Sequence, residues 1–367
     1  MGFSCGVVGL PNAGKSTLFN ALTAAGSPVA AYPFCTIEPK EGMVAVPDPR
    51  LTALAGMCKP EKVTPTTLTF VDIAGLVRNA HQGEGLGNRF LGHIREVDAI
   101  VHVVRLFADG NVSHVHGKVD PVSDFEVVAT ELLLADLDTV VRRREKADKM
   151  AKVGDKDAKR DLDLLHRLEA SLGKGIPAGM VSGHDARDEE LLKELCLLTR
   201  KPVLCVANIS EDQVGGVDAI LEPLRKHLVQ LKIPLVWVCG KYEMELAELS
   251  SEERAEFMAS AGLTHSALEQ IVVEGYRLLG LVTFYTTVGT ELRAWTVPAG
   301  TAAPQAAGRI HTDMEAGFIK AEILPFGVLA SAGSEAAARH KGLVRTEGKE
   351  YAVCDGDVVT IQFRAPR

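Results

Sequence analysis

Short apolar runs alternate with glycine-rich or polar loops through the first part of the chain. Residues 3–8 (FSCGVV), 68–72 (LTFVD) and 99–105 (AIVHVVR) have the length and β-branched content of buried strands. Residues 17–22 carry apolar side chains at helical spacing, directly after the glycine-containing segment that follows the first strand. A strand, a glycine loop and a helix in this order predict an α/β nucleotide-binding domain.

The pattern changes to long helical runs between about Pro121 and Leu198. Two helices joined by a turn at Gly154 and Asp155 would form a hairpin inserted in the nucleotide-binding domain. Basic residues between Arg142 and Arg160 either contact nucleic acid or form a solvated helix face, and the mixed charges favour the solvated face. The apolar positions that define the helix faces are Phe125, Val128, Leu132, Leu133, Leu137 and Val140 in the first helix and Leu162, Leu165, Leu168 and Leu172 in the second.

Strand-like segments return at residues 201–208 and 235–241, and shorter ones follow from about Leu281. The last part combines β-like segments with a helix predicted over Met314–Ile323, which indicates a small α+β domain that serves as an interaction module. The predicted domains are a nucleotide-binding domain in two parts (1–120 and 199–280), the helical hairpin (121–198) and a C-terminal domain (281–367).

Composition narrows the class of protein. With 46% hydrophobic and 24% charged residues over 367 positions, the chain is typical of a globular protein with two or three domains. Its formal charge of −8 argues against polyanion binding by the whole surface but leaves a local basic patch open. No apolar run approaches the roughly 18 residues of a membrane span, and seven scattered cysteines fit neither a disulfide framework nor a zinc site. We therefore expect a cytoplasmic protein without a membrane partner.

Residues 9–16 (GLPNAGKS) match the phosphate-loop pattern G-x-x-x-x-G-K-[ST] in full. Glycines at these positions allow the backbone to wrap closely around a triphosphate, the lysine adds a point charge, and the serine hydroxyl can bind Mg²⁺. The helix that follows directs its positive dipole end at the phosphates. The predicted nucleotide-binding residues here are Asn12, Ala13, Gly14, Lys15, Ser16 and Thr17, and Lys15 is also expected to act in catalysis.

A second motif, D-x-x-G, begins at Asp72 at the end of a predicted strand and ends at Gly75. In phosphate-loop enzymes its aspartate holds a water of the Mg²⁺ ion and its glycine N–H meets the γ-phosphate. Thr36, in a loop with two prolines, is the predicted second hydroxyl for the metal. The predicted metal residues are therefore Ser16, Thr36 and Asp72.

The residue after this motif is Leu76, where Ras-like enzymes use a glutamine to orient the attacking water. A leucine has neither donor nor acceptor, so another side chain must take that role. We name His114 first and His116 second, because an imidazole in this loop could orient water. If no group does so, the chain would be a binding module that uses ATP only as a ligand.

The base-reading position follows the predicted strand at 201–208. GTPases carry N-K-x-D there, and the aspartate accepts from guanine N1–H and the 2-amino group; this chain has N-I-S-E at residues 208–211. The lysine is absent and glutamate is one methylene longer, which removes the fork for guanine and costs adenine nothing. We therefore predict ATP over GTP, or relaxed selectivity. The predicted base-side residues are Asn208, Ile209, Cys239 and Gly240.

Together these segments resemble the Obg-like ATPase family, also called YchF, over nearly the whole chain. The matching segments are 9–16, 32–39 (YPFCTIEP), 72–77 (DIAGLV), 83–90 (GEGLGNRF), 98–104 (DAIVHVV), 208–211 and 283–286 (TFYT), and general GTPases share only the first and third. The resemblance implies a Ras-like P-loop domain, an inserted α-helical coiled-coil hairpin and a C-terminal ubiquitin-like TGS domain. It also implies cytoplasmic ATP hydrolysis with Mg²⁺ and association with ribosomes or RNA in translation and stress control.

The resemblance also bears on individual residues. Family members lack the catalytic glutamine, in agreement with Leu76, and a histidine that His114 matches in position has the missing role. Asn12 matches an asparagine that helps to bind K⁺ in some related P-loop proteins. Residues 238–241 (VCGK) depart from the family, where Ser-Ala is usual, but the backbone N–H groups are kept, so we expect nucleotide binding to persist. A GTPase of the Obg group is the alternative.

Overall fold

The computed structural model describes residues 2–25, 40–73, 86–108, 119–260 and 266–364. The chain divides into two compact units, one formed by residues 1–44 and 69–275 and the other by residues 45–68 and 276–367. Within the described ranges, no helix combines the length and the apolar content that a bilayer crossing needs.

The described residues contain twelve strands and fourteen α-helices. The strands are β1 (Ser4–Val8), β2 (Lys40–Ala45), β3 (Lys62–Thr64), β4 (Thr67–Asp72), β5 (Ala99–Arg105), β6 (Val203–Asn208), β7 (Leu235–Val238), β8 (Leu281–Val288), β9 (Glu291–Pro298), β10 (Phe318–Pro325), β11 (Arg345–Glu347) and β12 (Asp357–Phe363). The helices are α1 (Lys15–Ala25), α2 (Pro49–Cys58), α3 (Leu86–Glu96), α4 (Pro121–Lys152), α5 (Lys156–Leu172), α6 (Ala186–Leu195), α7 (Val217–Leu231), α8 (Gly240–Glu248), α9 (Ser251–Ser260), α10 (Ala267–Leu278), α11 (Ala303–Ile310), α12 (Thr312–Ala316), α13 (Phe326–Ala332) and α14 (Glu335–His340). Short 3₁₀ helices cover Ala178–Met180, Leu198–Arg200 and Glu211–Gly216.

A six-stranded sheet in the order β2-β4-β1-β5-β6-β7 forms the centre of the first unit. Strand β1 pairs in parallel with β4 and β5, and β6 pairs in parallel with β5 and β7. Because parallel strands end at the same edge of a sheet, the segments after Val8, Asp72 and Asn208 come together at one edge. The predicted α/β class is confirmed.

Helices cover both faces of this sheet. The apolar side chains of α3 and the first turns of α4 pack with Val71, Ile73 and Ile100 in one cluster. The apolar face of α7 packs with Val104, Cys205 and other strand residues in a second cluster. Strand β5 is buried along its whole length, in agreement with a sequence that is apolar without alternation apart from His102 and Arg105.

The helical hairpin consists of α4 and α5, as the sequence predicts. The apolar residues assigned to one face of the first helix, however, do not all meet α5. The cause is length, because the 32-residue α4 first packs against the sheet and its covering helices and then continues into the hairpin. Val128 and Leu132 lie in the cluster with α3, Phe125 lies in the cluster with α7, and Leu133, Leu137 and Val140 lie in the cluster with α5.

The second unit has its own six-stranded sheet in the order β11-β10-β12-β8-β9-β3. Helix α11 packs on one face, and α2, α13 and α14 pack on the other. The sequence predicts one uninterrupted piece over residues 1–120, whereas the structure places residues 45–68 in this second unit. Leu51 and Leu54 of α2 pack with Tyr285, and β3 pairs with β9 in parallel. The boundaries at 120/121, 198/199 and 280/281 stay predictions.

The helix predicted over Met314–Ile323 is wrong. Helix α12 ends at Ala316, and Phe318 begins β10. A Cβ atom on Gly317 would lie 1.9 Å from the carbonyl oxygen of Arg364, so a glycine here lets the chain pass close to the end of β12. Because Phe318, Ala321, Ile323 and Leu324 are buried in strand geometry, their spacing was compatible with either element.

Candidate nucleotide-binding site

The phosphate-loop segment joins the end of β1 to the start of α1. The helix begins at Lys15, so Lys15, Ser16 and Thr17 lie in its first turn, where backbone N–H groups have no intrahelical acceptor. The positive end of the helix dipole lies at the same place. This arrangement favours an anion such as a phosphate group.

Two glycines determine the shape of the loop. Gly14 has a φ of +93°, and a Cβ atom there would lie 2.1 Å from Nδ2 of Asn208. A Cβ atom on Gly9 would lie 2.4 Å from the carbonyl oxygen of Val103. Asn12 has a φ of 63°, in the left-handed region that asparagine tolerates better than most residues. The conformation of the phosphate loop therefore depends on glycine at positions 9 and 14 and is favoured by asparagine at position 12.

Lys15 is folded back onto the loop. Its Nζ donates a hydrogen bond of 2.8 Å to the carbonyl oxygen of Leu10, and the residue is only 8% exposed. Burial lowers the pKa of Lys15 to about 8, although the neighbouring Asp72 carboxylate opposes the shift. A bound polyphosphate would stabilise the protonated ammonium group.

Two of the predicted metal residues meet. The hydroxyl of Ser16, in the first turn of α1, donates to Oδ2 of Asp72 at 3.0 Å. Asp72 is the last residue of β4, so the parallel sheet brings it to the edge where α1 begins. A hydroxyl and a carboxylate are oxygen donors of the kind that Mg²⁺ prefers, and Mg²⁺ bound with nucleotide commonly needs only one or two protein ligands. These residues fit the predicted ion.

Asn208 connects the phosphate loop to the segment after β7. Its Nδ2 donates to the carbonyl oxygen of Ala13 at 3.1 Å, and its Oδ1 accepts from the N–H of Gly240 at 3.4 Å. The residue is 6% exposed. Gly240 in turn lies close to α1, because a Cβ atom there would be 3.5 Å from Cγ2 of Thr17. The structure thus brings four predicted nucleotide-binding residues together, with the Asn208 amide bonded to protein groups.

The side chains of Ile209 and Cys239 point into the core beneath this site. They are 2% and 3% exposed and belong to the cluster with α7. The N–H of Ile209 donates to the carbonyl oxygen of Val238 at 2.9 Å. Burial raises the pKa of the Cys239 thiol, so it stays neutral. A ligand would meet the polypeptide backbone at these positions.

Sequence reasoning missed an ion pair beside the base-side residues. Nζ of Lys241 lies 3.0 Å from Oε2 of Glu211, and this contact raises the pKa of Lys241. Glu211 occupies the position of the aspartate in the GTPase motif. The carboxylate that could have met a guanine is therefore already bound to a lysine. A Lys and a Glu 30 positions apart give no pattern by which sequence could pair them.

Sequence reasoning also missed His102, which lies within β5. It is 3% exposed and stacks on Phe125 with 4.7 Å between ring centroids. Burial, together with the charge of Lys15, lowers the pKa of His102 to about 3. The imidazole is therefore neutral at physiological pH and adds no positive charge beside the phosphate loop.

Four predicted site residues lie outside the described residues: Thr36, Gly75, His114 and its alternative His116. Leu76, which stands where Ras-like enzymes have a glutamine, lies outside them as well. Their roles stay predictions.

The depressed pKa of Lys15 predicts pH-dependent nucleotide binding. In the free protein the ammonium group loses its proton as pH rises through about 8, whereas a bound triphosphate holds the proton more tightly. Binding therefore takes up a proton above that pH, and affinity for ATP should fall up to about tenfold per pH unit. Titration calorimetry between pH 7 and 9.5, in buffers of different ionisation enthalpy, measures both the affinity and the proton uptake.

Lys15→Arg is the matched control, because arginine stays protonated throughout this range. Its affinity should be lower than that of the wild type at pH 7 but nearly independent of pH. A flat wild-type profile would contradict the expectation.

Comparison with known proteins gives matches over the full length. A family model for the C-terminal part of YchF GTPases, described as a protein of unknown function, matches residues 281–364, and one described as a 50S ribosome-binding GTPase matches residues 4–135. The protein named ribosome-binding ATPase YchF from Bacillus subtilis is 47% identical over 366 residues, which cover 99% of this chain and 100% of that protein. The protein of the same name from Escherichia coli O157:H7 is 49% identical over 365 residues, with 99% of each chain covered. The solved structure titled as the Schizosaccharomyces pombe YchF GTPase superimposes with a TM-score of 0.86 at 36% identity and covers 98% of this chain and 97% of that one.

Proposed function

Because the chain belongs to the YchF family, we propose that it binds ATP with Mg²⁺, hydrolyses it slowly and uses its nucleotide state to switch a ribosome-binding surface in the cytoplasm. The observation that carries the proposal is the meeting of three separate segments at one sheet edge. Ser16 bonds to Asp72, and Asn208 bonds to Ala13 of the phosphate loop. The names of the bacterial relatives support both the ATPase activity and the ribosome as partner.

The phosphates would be bound by the loop N–H groups and by Lys15. The Lys15 ammonium group would give up its hydrogen bond to the Leu10 carbonyl oxygen and bind a phosphate oxygen instead. Ser16 and Thr36 would hold Mg²⁺ directly and Asp72 would hold it through water; when bound, the ion neutralises charge that develops on the phosphate oxygens. Asn12 would help to bind K⁺ beside the loop. ATP and Mg²⁺ are thus the proposed ligands, with K⁺ as an additional one.

Turnover needs a group that orients water, because Leu76 cannot do so. His114 has this role in the proposal, with His116 as the alternative, and the N–H of Gly75 meets the γ-phosphate. The first rival is a nucleotide-binding regulatory module with negligible turnover. It differs from the proposal only in the rate of hydrolysis.

Selectivity for ATP is supported by the contacts of Glu211. Guanine would have to compete with Lys241 for the Glu211 carboxylate, which is also one methylene longer than the aspartate of the GTPase motif. Adenine makes no such demand and would lie against the backbone near Asn208, Ile209, Cys239 and Gly240. The names of the relatives differ on this point, since the bacterial proteins are called ATPases and the S. pombe protein a GTPase. A GTPase is therefore the second rival.

Titration calorimetry on nucleotide-stripped protein with Mg²⁺ tests the ligand. We expect ATP to bind at least about tenfold more tightly than GTP, a difference of about 1.4 kcal/mol. Tighter binding of GTP would favour the GTPase. Absence of heat with either nucleotide would overturn the proposal as a whole.

Single-turnover hydrolysis tests the water-orienting histidine. His114→Ala should lower the rate of ATP hydrolysis at least about tenfold, because loss of an orienting imidazole acts on the chemical step, and the Kd for ATP should be unchanged. His116→Ala, the matched control two positions away, should stay within twofold of the wild type. The reverse order would assign the role to His116. Equal, near-background rates in all three proteins would favour the module without turnover.

A further inference from the structure

The turn of the helical hairpin carries a set of exposed lysines on both of its helices. We define the hairpin-turn surface as Lys146, Lys149 and Lys152 near the end of α4 together with Lys156 and Lys159 at the start of α5. All five are exposed, and none forms a side-chain hydrogen bond or an ion pair with a residue in the described part of the chain. The turn between them is fixed by Asp155, which caps α5 by accepting from two backbone N–H groups at 3.0 Å.

The arginines of the hairpin differ from these lysines. Arg142 pairs with Asp138, Arg143 with Asp161, Arg144 with Glu169 and Arg160 with Asp185, at distances between 2.5 and 3.1 Å. The Arg143 and Arg144 contacts join α4 to α5, while the Arg142 contact lies within α4 and the Arg160 contact joins α5 to the residue that caps α6. From sequence alone, the basic run could be a solvated helix face or a nucleic-acid contact. The structure divides it into a set of arginines and a set of lysines. The arginines are paired with carboxylates, although Arg142 and Arg160 are exposed, and the lysines have no such partner among the described residues.

The charge at the turn is opposite to that of the protein. Residues 146–160 contain six basic and three acidic side chains, which gives +3, while the chain as a whole carries −8. One of the three acids, Asp148, is paired with Arg144, and Asp155 is the helix cap. A local positive field on an acidic protein orients it towards a polyanion.

Two apolar side chains lie among these lysines. Val153 is 79% exposed and Met150 is 44% exposed, and both lie beside the turn. Single exposed apolar side chains are common on protein surfaces, so these two add only apolar contact area beside the lysines. Lysine ammonium groups are compact point charges that contact phosphate oxygens without reading the base sequence.

We propose that the hairpin-turn surface docks on the phosphate backbone of ribosomal RNA. This inference rests on the ribosome association in the proposed function and names the surface that makes the contact. Each lysine that neutralises a phosphate releases counterions, so the contact contributes affinity that depends on salt and not on base sequence.

Ribosome co-sedimentation over a range of salt concentrations tests the surface. The triple variant Lys149→Ala/Lys152→Ala/Lys156→Ala should bind ribosomes at least about tenfold more weakly at 100 mM salt, and the slope of log K against log salt should become shallower by about 2 to 3. The same three positions changed to arginine should keep the wild-type affinity. The matched control is Lys174→Ala/Lys193→Ala/Lys341→Ala, three exposed lysines elsewhere, which should change affinity less than twofold.

The outcomes separate the possible failures. Ribosome binding of the alanine variant equal to that of the wild type, or an equal loss in the control, would overturn the hairpin-turn surface alone. A weaker alanine variant whose salt slope and affinity for purified ribosomal RNA match the wild type would point to a ribosomal protein and overturn the RNA contact. If the wild-type protein binds ATP but does not sediment with ribosomes, both ribosome association and the proposed docking surface are overturned. The proposed nucleotide site is not affected by that result. Unchanged thermal unfolding and ATP affinity in each variant exclude misfolding.

Discussion

Gly14→Ala is expected to weaken ATP binding at least about 100-fold while the protein stays folded. A φ of +93° is unfavourable for alanine, and the added Cβ atom would lie 2.1 Å from Nδ2 of Asn208. Asn208 would have to move, which breaks its bond of 3.1 Å to the carbonyl oxygen of Ala13 and its contact of 3.4 Å with the N–H of Gly240. The loop N–H groups would then no longer converge on one anion. Titration calorimetry with ATP and Mg²⁺ measures the loss.

The single variant Asn208→Ala separates the two causes. It removes the bonds to Ala13 and Gly240 but adds no Cβ atom to the loop and leaves the φ of Gly14 to a glycine, so it should bind ATP more tightly than Gly14→Ala and more weakly than the wild type. Gly56→Ala is the matched control, because Gly56 is exposed within α2 and a Cβ atom there would meet nothing within 4 Å. It should leave ATP affinity unchanged and stabilise its helix by about 0.5–1 kcal/mol. Wild-type affinity in Gly14→Ala would show that this loop does not bind the phosphates.

Two kinds of site residue could be predicted from the sequence: those placed by the local motif, and those placed at the common edge where parallel strands end. Eight consecutive residues place Lys15 and Ser16 in the first turn of α1, whatever surrounds them. Asp72 reaches Ser16 because parallel strands end at one edge. The position of Asn208 follows from the same rule. Its two bonds do not, because they depend on groups 195 and 32 positions away and on the rotamer of one amide.

Residues 45–68 show the limit of prediction from one sequence. The i, i+3 spacing of Leu51 and Leu54 indicates a helix with an apolar face, but any apolar surface could cover that face. The surface that does so includes Tyr285, which lies more than 200 positions later in the chain. Because the segment lies between parts of the nucleotide-binding domain in sequence, the sequence predicts that it belongs to that domain. In the structure it belongs to the second unit, because its apolar face is buried against that unit's sheet. The second unit therefore combines this segment with residues 276–367.

Arg50→Ala is expected to destabilise the second unit by about 3 kcal/mol, because it leaves a buried carboxylate without its positively charged partner. The guanidinium of Arg50 donates to Asp48 at 2.9 Å and to Asp355 at 2.6 Å, and the hydroxyl of Tyr285 also donates to Asp48. The Asp48 side chain is 7% exposed; burial alone would raise its pKa, but the hydrogen bonds from Arg50 and Tyr285 lower it, so the carboxylate is charged. Arg50 thus joins the segment 45–68 to the C-terminal part of the same unit.

Urea unfolding followed by tryptophan fluorescence measures this effect. The chain has two tryptophans, and in a Trp237→Phe background Trp295 of β9 reports on the second unit alone. The matched control is Arg345→Ala. The Arg345 side chain is 52% exposed and its guanidinium lies 3.5 Å from Glu347, so its loss should cost no more than about 1 kcal/mol. ATP affinity in the Arg50→Ala variant should stay within twofold of the wild type at urea concentrations where both remain folded, since the phosphate loop and Asp72 belong to the first unit. If Arg50→Ala unfolds at the same urea concentration as the control, then Arg50 does not join residues 45–68 to the second unit, and the assignment of that segment would rest on the packing of Leu51 and Leu54 alone.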